Sequence, residues 1–353
     1  MNQIRKKDRK PIYMLLCLFA IFCGFIYLIT RRPPVDTLKE SIEHSQTSDD
    51  IKNIWEKIKT EKLPEEKKKK LIQDMRSKLS TFDLSQKQTN EWINELKTYI
   101  PQSLNIIIIP NLSERITNDS LQIEDDIQII NGIWNIFKEY SKLKKNGKSR
   151  LIIEIADNNP KIADVINHLR FDLSAHKGAG ISFFKEKEDE FKDNVRKLYK
   201  FPKEDFFGSD YVSYFNKNLG SHLKKSTLFD IYMNKIIIIT DGYMKGIDNK
   251  TYTVIDSYRF QLYLAMREGN LSETIHNNSL NIPSADINLS NTDILICEVN
   301  EIDSGKGYDF EILKTYWEDW LNSMNAKQVV FFPKKNAIVD TNNSIKDFIL
   351  QKN

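Results

Sequence analysis

Residues 104–115 read LNIIIIPNLSER, four consecutive isoleucines running into a proline and then a short cluster of oxygen-bearing side chains. A strand with one wet face alternates apolar and polar residues, because successive side chains point to opposite sides. A run with no alternation fits a strand covered on both faces, as in a parallel sheet held between helix layers. The polar residues that end it then lie at the carboxyl edge of the sheet, where open α/β folds bind their ligands. Residues 235–244, KIIIITDGYM, repeat the grammar: four isoleucines, then Thr240, Asp241 and Gly242.

Around these two runs the chain alternates strand and helix. Strands are predicted at residues 104–110, 150–156, 235–240, 292–299 and 328–332, each rich in Ile, Val, Leu or Phe. Amphipathic helices fall over about 125–145, 185–198 and 309–324, another begins near Ser209, residues 258–268 read as a short helix or an insertion, and 344–350 is a closing helix. In the first, Ile127, Ile130, Ile133, Trp134 and Phe137 share one face. Strands separated by helices predict an α/β fold with a doubly wound, mostly parallel, Rossmann-like sheet over residues 101–353.

The region before it has a different character. Residues 1–10 form a basic tail carrying Arg5, Lys6, Lys7, Arg9 and Lys10, and residues 11–30 then run without a charge, long enough to cross a bilayer as a helix. Arg31, Arg32 and the prolines Pro33 and Pro34 close that run, and no small-x-small cleavage site follows it. The expectation is an uncleaved single-pass anchor. Five basic residues before it against two directly after it place the N-terminus in the cytoplasm and the C-terminal domain in the periplasm or outside the cell. Residues 31–100 read as a helical stalk or small bundle, with Thr47 through Asp50 offering an N-cap ahead of Ile51, Ile54, Trp55 and Ile58. The four lysines at 67–70 stand beside Glu61, Glu65 and Glu66 and read as a solvated helix face.

Composition narrows the function classes. The chain has 353 residues, 52 basic against 49 acidic, and a formal charge of +3, too close to neutral to argue for nucleic acid, and no nucleic-acid partner is expected. Of its three cysteines two lie in the apolar N-terminal run, and no Cys/His cluster has zinc spacing. There is no Gly-x-Ser-x-Gly, no zinc motif and no phosphate loop, so an enzyme is not expected. Glu154 and Asp157 near one strand end could form an acid pair, but the sequence places no nucleophile or histidine with them. Gly178-Ala179-Gly180 lacks any dinucleotide pattern and reads as a loop, and the aromatic cluster at 201–215 reads as core.

Three polar stretches converge if the topology is right: Asn111-Leu112-Ser113 after the first strand, Gly208-Ser209-Asp210 in mid-domain, and Thr240-Asp241-Gly242. Gathered from separate loops, such oxygens suit a hard cation that keeps some of its waters. The order of elements and these strand endings resemble the von Willebrand factor A domain family, over about residues 101–350. In that family the first strand ends in Asp-x-Ser-x-Ser, a central loop supplies a Thr, and a later strand ends in Asp followed by Gly, together forming a metal-ion-dependent adhesion site. In this chain Asn111 stands where the Asp is expected, Ser113 matches, Arg115 replaces the last Ser, Ser209 stands in for the Thr, and Asp241-Gly242 matches.

What the resemblance implies is a membrane-anchored module that binds another protein of the cell envelope at the carboxyl edge of the sheet. A magnesium ion would be held by Asn111, Ser113, Ser209 and Asp241, with Arg115, Asp210 and Gly242 at the partner-binding edge. The departures have physical weight. Asn keeps a carbonyl oxygen but removes a charge, and the Arg115 guanidinium would either repel a divalent ion or take its place by pairing with Asp241. Two other readings stay open: a metal-free structural component of an envelope complex, with Arg115 locking the edge, and a hydrolase, since fold does not fix function. The helical region could in any of these serve oligomerisation.

Overall fold

The computed structural model describes residues 34–144, 147–156, 160–176, 181–201, 210–246, 250–300 and 308–351. The expected basic tail and membrane anchor, together with Ser209, lie outside the described residues. Among the described residues no helix is long and apolar enough to cross a membrane. They fall into two compact units, one comprising the part up to Ile100 with Thr227–Phe229, the other the rest.

The first unit holds helices α1 (Pro34–His44), α2 (Ser48–Thr60), α3 (Glu65–Leu79) and α4 (Gln86–Leu96), and the face of Ile51, Ile54, Trp55 and Ile58 expected of α2 is buried. Thr47 and Ser85 each begin a helix with a reciprocal capping box, which satisfies amide donors that the first turn leaves open. Ile51, Trp55, Ile58, Leu71, Met75, Leu79 and Leu96 are fully or almost fully buried. The polar tips of the buried indoles are both satisfied, Trp55 Nε1 donating to Glu95 Oε2 (3.0 Å) and Trp92 Nε1 to Ser48 Oγ (2.9 Å). Lys67, Lys69 and Lys70 are exposed, as a solvated face requires.

The second unit is built on a six-stranded sheet in the order β3-β2-β1-β4-β5-β6. The strands are β1 (Gln102–Pro110), β2 (Arg150–Ile153), β3 (Arg170–Asp172), β4 (Ile231–Ile239), β5 (Thr292–Val299) and β6 (Gln328–Pro333). All neighbours run parallel except β2 and β3. The two isoleucine runs are adjacent and in register, Ile107 beside Ile236 and Ile109 beside Ile238. Their even and odd members serve different layers. Ile106 and Ile108 pack under α5 (Ser120–Lys144), α6 (Ile181–Tyr199) and α10 (Ile338–Leu350), among Trp134, Phe137, Phe184, Phe191 and Ile345. Ile107 and Ile109 pack under α7 (Arg259–Glu268), α8 (Leu271–Asn277) and α9 (Asp309–Ser323), with Leu262, Ile275, Ile312 and Trp317. Each isoleucine so buried contributes roughly 1.5–3 kcal/mol of transfer free energy, and an alternating strand would forfeit one layer.

Several boundaries differ from those the periodicity predicts. β2 stops at Ile153, short of the predicted 156: Glu154 turns its carboxylate to Arg170, and Ile155 and Ala156 pack against the core from outside the strand. Helix α5 starts at Ser120, ahead of the predicted 125, and α10 at Ile338, ahead of 344. Strand β3 was too short to show a period: three residues, of which Phe171 alone is buried. The mid-domain helix spans Tyr211–Tyr214, widens into a π-turn over Phe215–Leu219 and closes with Gly220–His222.

Candidate functional site

β1 and β4 are neighbours whose onward connections leave toward opposite sides of the sheet order, so the crevice beyond their carboxyl ends is a topological switch point. Proline ends β1 and Thr240 follows β4, and both chains leave the sheet there. The register carries on one step past the strands, with the Asn111 N–H donating to Ile239 O at 2.8 Å. That bond sets Asn111 directly beside Thr240 and Asp241.

The cluster is dense. Asn111, Thr240 and Asp241 are 1%, 1% and 7% exposed. Asn111 Oδ1 accepts from the Ser113 N–H (2.8 Å), which orients the amide. Its Nδ2 then faces Thr240 Oγ1 at 3.1 Å and Asp241 Oδ1 at 3.4 Å. Thr240 Oγ1 also accepts from the Gly242 N–H (3.2 Å), and Asp241 Oδ1 from the Tyr243 N–H (3.2 Å), so both side chains fold back over their own turn. Ser113 stands at the start of the helical turn Glu114–Thr117 without capping it, and its Oγ is buried with no hydrogen-bond partner.

Gly242 makes the turn possible. It sits at φ +95°, and a Cβ there would meet Val299 Cγ1 at 3.0 Å and Leu313 Cδ1 at 3.1 Å. Its carbonyl accepts from Trp317 Nε1 (2.8 Å), and Tyr211 packs edge-on against the same indole with ring centroids 5.3 Å apart. Tyr243 donates its hydroxyl to Asp309 Oδ2 (2.9 Å), and Arg259 pairs with Asp309 Oδ1. The loop after β4 is therefore held from below by α9 and from the side by the start of α7.

Of the residues singled out in the sequence, Asn111, Ser113, Asp241 and Gly242 come together. Asp210 is buried, and its two oxygens accept from the Ser213 N–H (2.9 Å) and hydroxyl (2.8 Å), capping its own helical turn. The Arg115 side chain lies outside the described residues, so its expected pairing with Asp241 does as well. Among the described residues no group of three or more His, Cys, Asp or Glu is placed to hold a metal ion.

Two constellations were not legible in the chain. Beside the carboxyl end of β5, Asp126 accepts from Gln122 Nε2 (2.7 Å) and from the Tyr199 hydroxyl (3.1 Å), and burial pushes its carboxyl up to about 8. Glu298, at φ +66° next to a register shift in β5, is also raised by burial, its Oε1 accepting from Thr341 Oγ1 (3.0 Å) while Oε2 is buried without a partner. The charge of Lys334 works against both shifts from a distance, its Nζ held by Gln122 Oε1 (2.7 Å) and Asp125 Oδ2 (3.0 Å). At the other side of the sheet Arg170 on β3 pairs with Glu154 Oε1 at 2.7 Å, and His222 Nε2 lies 3.7 Å from the same oxygen. Burial, with Arg170 and Arg150 nearby, pushes that imidazole down to about 4, and the Tyr214 ring stacks on it with its hydroxyl buried and unpartnered. Glu154 thus does have a histidine beside it, brought from 68 positions along the chain by the fold. Among the described residues no hydroxyl or thiol nucleophile is hydrogen-bonded to this neutral imidazole, and the group reads as the polar seam under the Tyr211–His222 segment.

Comparison of the chain with protein-family models, with curated proteins and with solved structures returned no match.

Proposed function

We propose that this chain is a membrane-anchored protein-binding module that engages another protein of the cell envelope at the carboxyl edge of a von Willebrand factor A-type sheet. The observation that carries the reading is the meeting of Asn111, Ser113, Thr240 and Asp241 at the switch point between β1 and β4. Doubly wound sheets place ligands in that crevice. The loops around it are pinned by buried side chains of α9, which gives a partner a preformed surface and lowers the ordering cost of association. The anchor is proposed from residues 11–30, whose uncharged run is long enough for a bilayer, with the C-terminal domain on the non-cytoplasmic side.

The test is site-specific photo-crosslinking of the full chain in membranes. A crosslinking residue at exposed Glu114, beside the cluster, is compared with one at exposed Lys148, just before β2 at the amino edge. The reading expects a discrete protein adduct from position 114 and none from 148. An empty lane at 114, or the same adducts from both positions, would refute it. Alkaline extraction of the same membranes tests the anchor, which predicts that the chain stays in the pellet.

A further inference from the structure

We infer that the side-chain amide of Asn111 takes the place of a cation at the crest of β1 and β4, so that this edge assembles without a divalent ion. The inference rests on the binding surface proposed above and concerns how that same surface is held.

With Asn111 Oδ1 committed to the Ser113 N–H at 2.8 Å, the two hydrogens on Nδ2 face two oxygens, Thr240 Oγ1 at 3.1 Å and Asp241 Oδ1 at 3.4 Å. The second contact is long for a hydrogen bond. It still places the positive end of the amide dipole against the carboxylate, where a metal ion would place its charge. Each of those oxygens takes a second N–H, from Gly242 and Tyr243 at 3.2 Å. The lone pairs that Thr240 Oγ1 and Asp241 Oδ1 direct at these N–H groups are not free for a metal.

Magnesium demands near-octahedral oxygen at about 2.0–2.1 Å. Here an –NH2 group fills the space between two of the oxygens that would have to bind it, and Asn111 brings no second negative charge. Among the described residues Ser113 Oγ, buried and unpartnered, is the one hydroxyl of the cluster left over, and a single hydroxyl makes no coordination shell. The residues present therefore fit a hydrogen-bonded cluster better than a magnesium site. Among the oxygens described, a second carboxylate at position 111 would be the smallest change that turned this balance, because it would face Asp241 across the cluster and need a cation between the two.

The experiment uses the purified full chain in detergent and reads thermal unfolding and calorimetry with magnesium or manganese against a chelator. The wild type is expected to melt at the same temperature in both and to show no saturable heat. Asn111→Asp is expected to melt roughly 5–10 °C lower in chelator. Magnesium or manganese should recover most of that loss, and binding should be saturable. Asn111→Ala should be destabilised with no recovery, since it removes the amide without adding a ligand. Saturable metal binding to the wild type, or an Asn111→Asp protein that folds yet ignores both metals, would overturn the inference. Should Asn111→Asp not fold, the wild-type comparison decides alone. The crosslink at position 114 separates the two claims: adducts that vanish in chelator overturn the inference and leave the binding surface, whereas no adducts with metal-indifferent wild type and metal-responsive Asn111→Asp do the reverse.

Discussion

Asp126 gives the most quantitative handle on this fold. It lies on α5 at 1% exposure, its two oxygens reached by Gln122 Nε2 and the Tyr199 hydroxyl, and burial lifts its carboxyl from 3.8 to about 8. Between those pH values the folded chain holds a proton that the unfolded chain has released. Stability therefore falls as pH rises through this window, by at most about 1.36 kcal/mol per unit for one group. Over roughly four units the loss approaches about 5 kcal/mol, a large part of the 5–15 kcal/mol typical of a folded domain. The neighbouring charges act in opposite senses, Glu298 raising and Lys334 lowering the Asp126 carboxyl. When Asp126 is protonated its bond to Tyr199 can reverse, the carboxyl hydrogen going to the phenol oxygen, and the Nδ2 of an asparagine makes that donation at nearly the same volume. Asp126→Asn is thus expected to match the wild type near pH 4, to exceed it by about 1.5 kcal/mol near pH 5, and to gain up to about 5 kcal/mol near pH 8.5. Urea unfolding of the full chain, followed by tryptophan fluorescence at those three pH values, measures it. A gain that does not grow with pH, or a variant less stable than wild type near pH 8.5, would refute the reasoning.

Gly242→Ala should be strongly destabilising: a positive φ costs about 1–2 kcal/mol, and crowding Val299 and Leu313 adds about 1–3 kcal/mol, so urea titration should show a total of roughly 2–5 kcal/mol. Tryptophan emission should shift with it, because Trp317 loses its bond to the Gly242 carbonyl if the turn moves. At the opposite end of the sheet Lys235, fully buried, donates to Asp293 Oδ2 (2.8 Å) and to Phe348 O (3.0 Å), the carbonyl near the end of α10. Lys235→Ala should cost about 3 kcal/mol in the same assay, while Lys235→Met, which refills the volume, should cost clearly less; equal losses would show that the ion pair rather than the packing carries the effect.

Much of the architecture was written locally. The isoleucine runs at 106–109 and 236–239 need two apolar layers whatever surrounds them, and that requirement alone implies a buried, mostly parallel sheet with helices on both faces. The capping boxes at Thr47 and Ser85 and the apolar face of α5 are equally local, since each depends on side chains within one or two turns. The meeting of Asn111 with Asp241 followed from both strands ending in polar residues, provided the strands were neighbours. Tertiary structure decided that they are, through register pairing across 129 positions of chain, and it decided which way the Asn111 amide turns. It also made the antiparallel β3, three residues with no period of their own, and it set His222 beside Glu154 and Asp126 near Glu298. Those groups carry no local pattern because their energies come from desolvation and distant charge. Desolvation and distant charge are properties of the packed interior, and the order of residues along the chain does not specify them.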